Sequence, residues 1–250
     1  MAYCLVESIY KDIKEIFYEY PELLDSSFEM RMKSYIPGCY HEYLLGACKE
    51  AREVMKVDKT PRDLYIFITH LNNKREEHYL AKTFLLHCFE KAFRTFLAIE
   101  ISNLYNVEKD DWFFKKQTCK NNAFNFLLKK MREREKYLDG KEKTTLNIFD
   151  GFFLKDLQDI LEKHWESLGH FFSDEKMYRG KELHNYSKES CLAKIDEIRK
   201  VRNNIFHCRD TTQHFVKELE NILLRLNFDL GDAVKMKNIA DVIEFQHDYD

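Results

Sequence analysis

Glycine and proline are scarce. The 250-residue chain holds 7 and 3 of them, where average usage would place roughly 30 of the two together. So little turn chemistry excludes sandwiches, barrels and glycine-rich nucleotide folds. The scattered glycines leave no phosphate loop and no dinucleotide fingerprint, and neither H-E-x-x-H nor G-x-S-x-G occurs. Long apolar runs are missing too. No stretch approaches the ~18 uncharged apolar residues of a membrane span, and the opening MAYCLVESIYKDIK, with its early acids, does not read as a signal peptide. No two of the seven cysteines fall within four residues of each other, so there is no zinc-type pair, and neither a metal nor a cofactor is implied. An odd set of thiols inside apolar helical patterns fits free cysteines in a reducing cytoplasm. Positive charge is not in excess either: 40 Lys+Arg face 43 Asp+Glu, a net charge of -3. A constitutive, non-specific nucleic-acid binder would be basic overall, so any such site must be a local patch.

What is present is apolar periodicity. With 44% hydrophobic residues the chain can bury a sizeable core. Leu5, Ile9, Ile13, Ile16 and Tyr20 keep a 3–4 spacing, and Tyr40, Tyr43, Leu44, Ala47, Cys48, Ala51 and Met55 make a second stripe. Thr60-Pro61 reads as a helix start, with a short helix behind it. From Tyr79 to Tyr105 apolar residues wrap most of the way round, which predicts a central helix, interrupted by His87, Glu90 and Arg94. Residues 111–138 turn basic, a run that reads first as a solvated face and second as a hold on an RNA backbone. Further helices are expected over 153–172, 190–208 and 215–226, with a polar loop from Ser173 to Glu189 and a capping box at Asp210–Gln213. On its apolar face His164 reads as a core residue rather than a ligand. The fold class is all-α: an N-terminal helical extension (1–75), a helical domain (76–230) and a tail (231–250).

The constellation that carries chemistry is IDEIRKVRNNIFHCRD, residues 195–210. It holds Arg202-Asn203 and then His207. Arg-x4-His alone is weak, since this composition yields roughly 0.5 matches by chance, and Arg209 to His214 is a second one. On an ideal helix Arg202 and His207 diverge by about 140°, whereas Asn203 and His207 share a face. Arg202 also falls close to the apolar side marked by Ile198 and Ile205, where an arginine is costly unless paired. Glu90 is the candidate partner.

The ending of this helix resembles that of the third helix in the HEPN (higher-eukaryote-and-prokaryote nucleotide-binding) superfamily, which carries an R-N-x-x-x-H type motif. HCFEKAFRTFLAIEISNLY, residues 87–105, is similar to the first long helix of the Abi-like, abortive-infection branch, with Glu90 and Arg94 in the place of its E-x-x-x-R pair. The resemblance extends over roughly residues 78–228 and implies a HEPN-type helical bundle.

It implies a metal-independent endoribonuclease, a toxin or antiviral defence effector, working in the cytoplasm as a homodimer with two motifs around one cleft. An antitoxin or other defence-system protein would be a natural partner, and no membrane is involved. Arg202 and His207 would be catalytic, Asn203 would orient, and Glu90 and Arg94 would support. Arg199, Lys200 and Arg209 would bind RNA. RNA supplies its own nucleophile, the 2′-OH; a histidine can move that proton, and an arginine fork suits phosphate oxygens. Two positions depart from relatives. Arg209 stands where the toxin branch paired with a nucleotidyltransferase antitoxin has a tyrosine, so regulation through that tyrosine is not implied. Phe206 stands where Abi-like members often have alanine. The competing expectations are a non-catalytic helical dimerisation or interaction module and a nucleotide sensor using the same cleft.

Overall fold

The computed structural model describes residues 5–57, 61–105, 121–136, 138, 140–206, 215–231, 234 and 243–247. About 76% of these are helical, and the fold is all-α. The helices are α1 (Leu5–Ile16), α2 (Ser26–Tyr35), α3 (His41–Val57), α4 (Leu64–Leu104), α5 (Asn122–Glu135), α6 (Thr145–Asp150), α7 (Leu154–Lys163), α8 (Trp165–Leu168), α9 (His170–Ser173), α10 (Lys188–Phe206) and α11 (Val216–Arg225). Two strands, β1 (Met177–Tyr178) and β2 (Lys181–Glu182), form an antiparallel hairpin. Among the described residues no helix is long and apolar enough to cross a membrane.

The chain divides into two compact units. One holds residues up to Thr83 with the described end of α10 after Asn203; the other holds Phe84–Asn203 and the described residues from Phe215 on. The division on α4 falls between Thr83 and Phe84. In the first unit α1 packs on α2 and α3 around Ile13, Phe17, Met32, Leu44, Ala47, Cys48 and Ile68, all buried. Asp25 caps α2 by accepting from the Phe28 amide at 2.8 Å.

Periodicity suggested two helices between 61 and 105; there is one, α4, of 41 residues and about 60 Å. The polar stretch near 72–78 contains no glycine or proline to stop it. Instead the buried Asn72 donates to Glu76 one turn on (2.9 Å) and to the Tyr35 hydroxyl of α2 (3.1 Å), which gives its side-chain NH2 group two acceptors without a break in the helix.

The reverse correction applies to 153–172, expected as one helix. It is broken into α7, α8 and α9 at His164 and Gly169. A Cβ on Gly169 would lie 2.7 Å from the Trp165 indole, so this turn admits only glycine. Trp165 in turn stacks on Phe172. The expected polar loop 173–189 contains the hairpin: Arg179 and Gly180 both take positive φ, 47° and 80°, the pairing a two-residue type I′ turn requires.

Buried polar residues of α11 hold this hairpin segment. Asn221 exchanges hydrogen bonds with the His184 backbone (2.9 and 3.0 Å) and donates to the Tyr186 hydroxyl, which donates to Glu218 at 2.7 Å. Arg225 is 0% exposed. Its donors reach the carbonyls of His184 (2.7 Å), Phe171 (3.2 Å), Asp174 (3.0 Å) and Leu183 (3.1 Å), and the Asn185 amide oxygen. Lys176 closes the end of α11 on the Arg225 carbonyl and the Asn227 side chain, 2.7 and 2.6 Å. Asn227 takes the left-handed φ of 61° in a Schellman turn, with its own amide on Leu224 O and that of Phe228 on Leu223 O.

Part of the basic run is internal rather than a solvated face. Lys130 and Arg134 of α5 meet both oxygens of the buried Asp156 at 2.7 and 2.6 Å, and Asp156 also accepts the Phe153 amide at the start of α7 (3.1 Å). Burial alone would raise the Asp156 carboxyl, but Lys130, that amide and Arg134 outweigh it and hold it below the ordinary range. A depressed folded-state value contributes stability that is complete above the unfolded value near 4 and is lost as pH falls through the folded value. Asp156→Asn should therefore cost roughly 3 kcal/mol at neutral pH and flatten the loss of stability between about pH 5 and pH 2. Urea titrations of both proteins across that range check this; equal slopes would refute it. Lys129 and Arg132 are exposed on the same helix, while Lys115, Lys116 and Lys120 lie outside the described residues.

Candidate active site

α10 is amphipathic, and Cys191, Ile195, Ile198, Val201 and Ile205 form its buried side. Arg202, four residues after Ile198 and three before Ile205, falls on that side, with its side chain 34% exposed. A guanidinium there needs a counter-charge. Glu90 of α4 supplies it: Oε2 lies 3.4 Å from Arg202 Nε, an ion-pair contact off the axis of an ideal hydrogen bond. The other oxygen of Glu90 accepts from Arg94 Nη2 at 3.0 Å, one turn along the helix. The same Nη2 reaches the Phe152 carbonyl at 3.1 Å, which ties α4 to the turn between α6 and α7.

One carboxylate thus meets two guanidinium groups in a half-buried setting where screening is weak. The planar donor fork of Arg202 matches the oxygens of a phosphate. Asn203 is adjacent: its Oδ1 lies 3.4 Å from Arg202 Nη1 in a long hydrogen bond. α10 stays helical through Phe206, whose ring is 45% exposed and so not a core residue. His207 and Arg209 lie outside the described residues, as does the expected capping box at 210–213.

Arg199 and Lys200, two of the cations expected to bind RNA, are engaged on their own helix. Arg199 puts Nε and Nη2 on Asp196 Oδ1 at 3.0 and 2.6 Å, and Lys200 meets Oδ2 at 2.9 Å. The Lys200 ammonium and then the Arg199 guanidinium hold the Asp196 carboxyl below its usual range against the opposing effect of burial. Lys200, 60% exposed, stays accessible. His87 is exposed on α4, one turn before Glu90.

His164 is a core residue. Its Nδ1 lies 2.8 Å from the Ile160 carbonyl, which can only accept, so Nδ1 carries the proton and Nε2 accepts from the Tyr105 hydroxyl at 2.9 Å. Burial lowers its pKa, which keeps the ring neutral. Cys48, Cys88 and Cys191 are free and buried, with their thiols raised by burial, and Cys39 is free and half-buried. Among the described residues no group of three or more His, Cys, Asp or Glu side chains is placed to hold a metal ion.

Comparison with protein-family models, with curated proteins and with solved structures finds no match.

Proposed function

We propose that the chain is a metal-independent endoribonuclease of HEPN type, working as a toxin or antiviral defence effector in the cytoplasm. The observation that carries this reading is the contact of the Glu90 carboxylate with both Arg202 and Arg94. It brings the two sequence segments that resemble the HEPN superfamily to one half-buried point. Glu90 offsets the charge of Arg202 on the apolar side of α10 and helps hold the guanidinium in place, with part of its surface kept for a phosphate.

In this reaction Arg202 binds a non-bridging phosphate oxygen and stabilises the charge that develops there. His207 moves a proton, either from the 2′-OH that attacks the phosphorus or to the 5′-oxygen that leaves. Asn203 orients the phosphate. The P–O5′ bond breaks as the O2′–P bond forms, leaving a 2′,3′-cyclic phosphate and a 5′-OH. A second copy of the chain places a second motif around the same cleft, with the two-fold axis near the end of α10.

The experiment is end-group analysis. Purified protein incubated with single-stranded RNA in EDTA should yield fragments that a 5′-kinase labels directly and that carry cyclic phosphate at the other end. The all-2′-deoxy strand should stay intact. Cleavage of DNA, or fragments with 5′-phosphate ends, would overturn the reading.

A further inference from the structure

Cleavage by 2′-OH attack moves two protons. One leaves O2′ as the O2′–P bond forms, and one reaches O5′ as the P–O5′ bond breaks. A single imidazole carries one of them at a time. The reaction therefore calls for a second acid–base group near the phosphate that Arg202 holds.

The histidines of the compact unit that contains Arg202 are nearly all occupied. His164, His170, His184 and His247 pack against the rings of Tyr105, Phe171, Tyr186 and Tyr178. His87 differs from them. Its side chain is exposed, and among the described residues no hydrogen bond, ion pair or ring contact engages it.

Helix geometry places this ring. His87 stands one turn before Glu90 on the continuous helix α4, about 4.5 Å of rise. Residues three apart on a helix are neighbours, with Cβ atoms roughly 5–6 Å apart. His87, Glu90 and Arg94 fall within an arc of about 60° around the helix axis. Arg202 meets the middle member of that row, with its Nε 3.4 Å from Glu90 Oε2, while Arg94 takes Oε1 at 3.0 Å. The rotation of α4 is fixed here by the buried side chains of Leu86, Phe89 and Phe93, which leaves His87 on the outer side. A group carried on a packed helix is held more precisely than one on a loop.

We infer that His87 is the second proton-transfer residue of the ribonuclease reaction, working with His207. The inference rests on the ribonuclease reading and completes its proton balance. One ring enters neutral and takes the O2′ proton. The other enters protonated and gives its proton to O5′, so no proton is gained or lost overall.

The test uses the full-length chain and single-stranded RNA in EDTA. His87→Ala should slow cleavage by roughly 10²–10⁴-fold, the usual contribution of one acid–base group. Its affinity for a 2′-O-methyl RNA, whose blocked 2′ position cannot attack, should be unchanged, and so should its circular dichroism, because the ring is exposed. Added imidazole should restore part of the lost rate. An RNA with sulfur in place of the scissile 5′-oxygen needs no proton on its leaving group. It should restore cleavage to one of His87→Ala and His207→Ala and not to the other. Native-rate cleavage by His87→Ala, with His207→Ala inactive, overturns the inference and leaves the ribonuclease reading intact, since the second transfer then belongs to the second motif of the dimer. A loss matched by weaker RNA binding, or one that added imidazole does not relieve, also overturns it. A native chain that leaves RNA intact removes both readings.

Discussion

Arg225→Met is expected to destabilise the protein by about 4 kcal/mol or more, an unusually large effect for one substitution. Replacing a buried ion with an apolar side chain of similar size is often neutral, because the desolvation penalty disappears with the charge. Here the partners are backbone carbonyls of a segment with little regular structure. Phe171, Asp174, Leu183 and His184 each direct a carbonyl at the guanidinium, and Asn185 adds an amide oxygen. Methionine removes a donor from all five acceptors; the His184 carbonyl keeps Asn221, and the other buried ones bear the full cost of an unmade hydrogen bond. Arg225→Lys keeps the charge but has three donors where five are used, so it should lie between. Urea unfolding followed by circular dichroism gives the loss of stability. Limited proteolysis should also show cutting within 174–185 before the rest. An unchanged unfolding midpoint in Arg225→Met would contradict this account of the hairpin.

The second large effect is an asymmetry between two partners. Arg202→Ala removes a charge whose partner keeps another, because Glu90 still holds Arg94 at 3.0 Å. Stability should change little, while RNA cleavage should fall by roughly 10²–10³-fold, the usual loss on deleting one preorganised donor to a developing oxyanion. Glu90→Leu leaves Arg202 on the apolar side of α10 without its carboxylate and releases Arg94 as well. It should destabilise by roughly 3 kcal/mol and lower cleavage too. Glu90→Leu with Arg202→Met should recover much of the stability and none of the activity. If Arg202→Ala costs as much stability as Glu90→Leu, the arginine is a structural residue and the catalytic reading of this cluster fails.

Much of this molecule was legible in its sequence because the information was local and periodic. The apolar stripes of α1, α3, α10 and α11 mark buried faces, and the shortage of glycine and proline leaves little but helix. The position of Arg202 among Ile198, Val201 and Ile205 already demanded a carboxylate, and Glu90 lies against it. What escaped depends on contacts distant in sequence. Asp156 draws Lys130 and Arg134 inward from a run that looked like a solvated face. Arg225, Asn221 and Glu220 interrupt an apolar helix with polar groups that are nevertheless buried, because the chain at 171–186 and at 246–247 brings them partners. Polarity was read as exposure, and here it marks where loops are fastened. The two helix boundaries that differ have local causes: the Asn72 NH2 group finds acceptors without breaking α4, and Gly169 makes room for Trp165.

The most direct test of the central claim is RNA cleavage in EDTA by the native chain and by His207→Ala. The account predicts cleavage by the native protein with no divalent ion present. It predicts none above background by His207→Ala, with the circular dichroism of the two proteins superimposable. Cleavage that requires a divalent cation, or that survives the loss of His207, would contradict it.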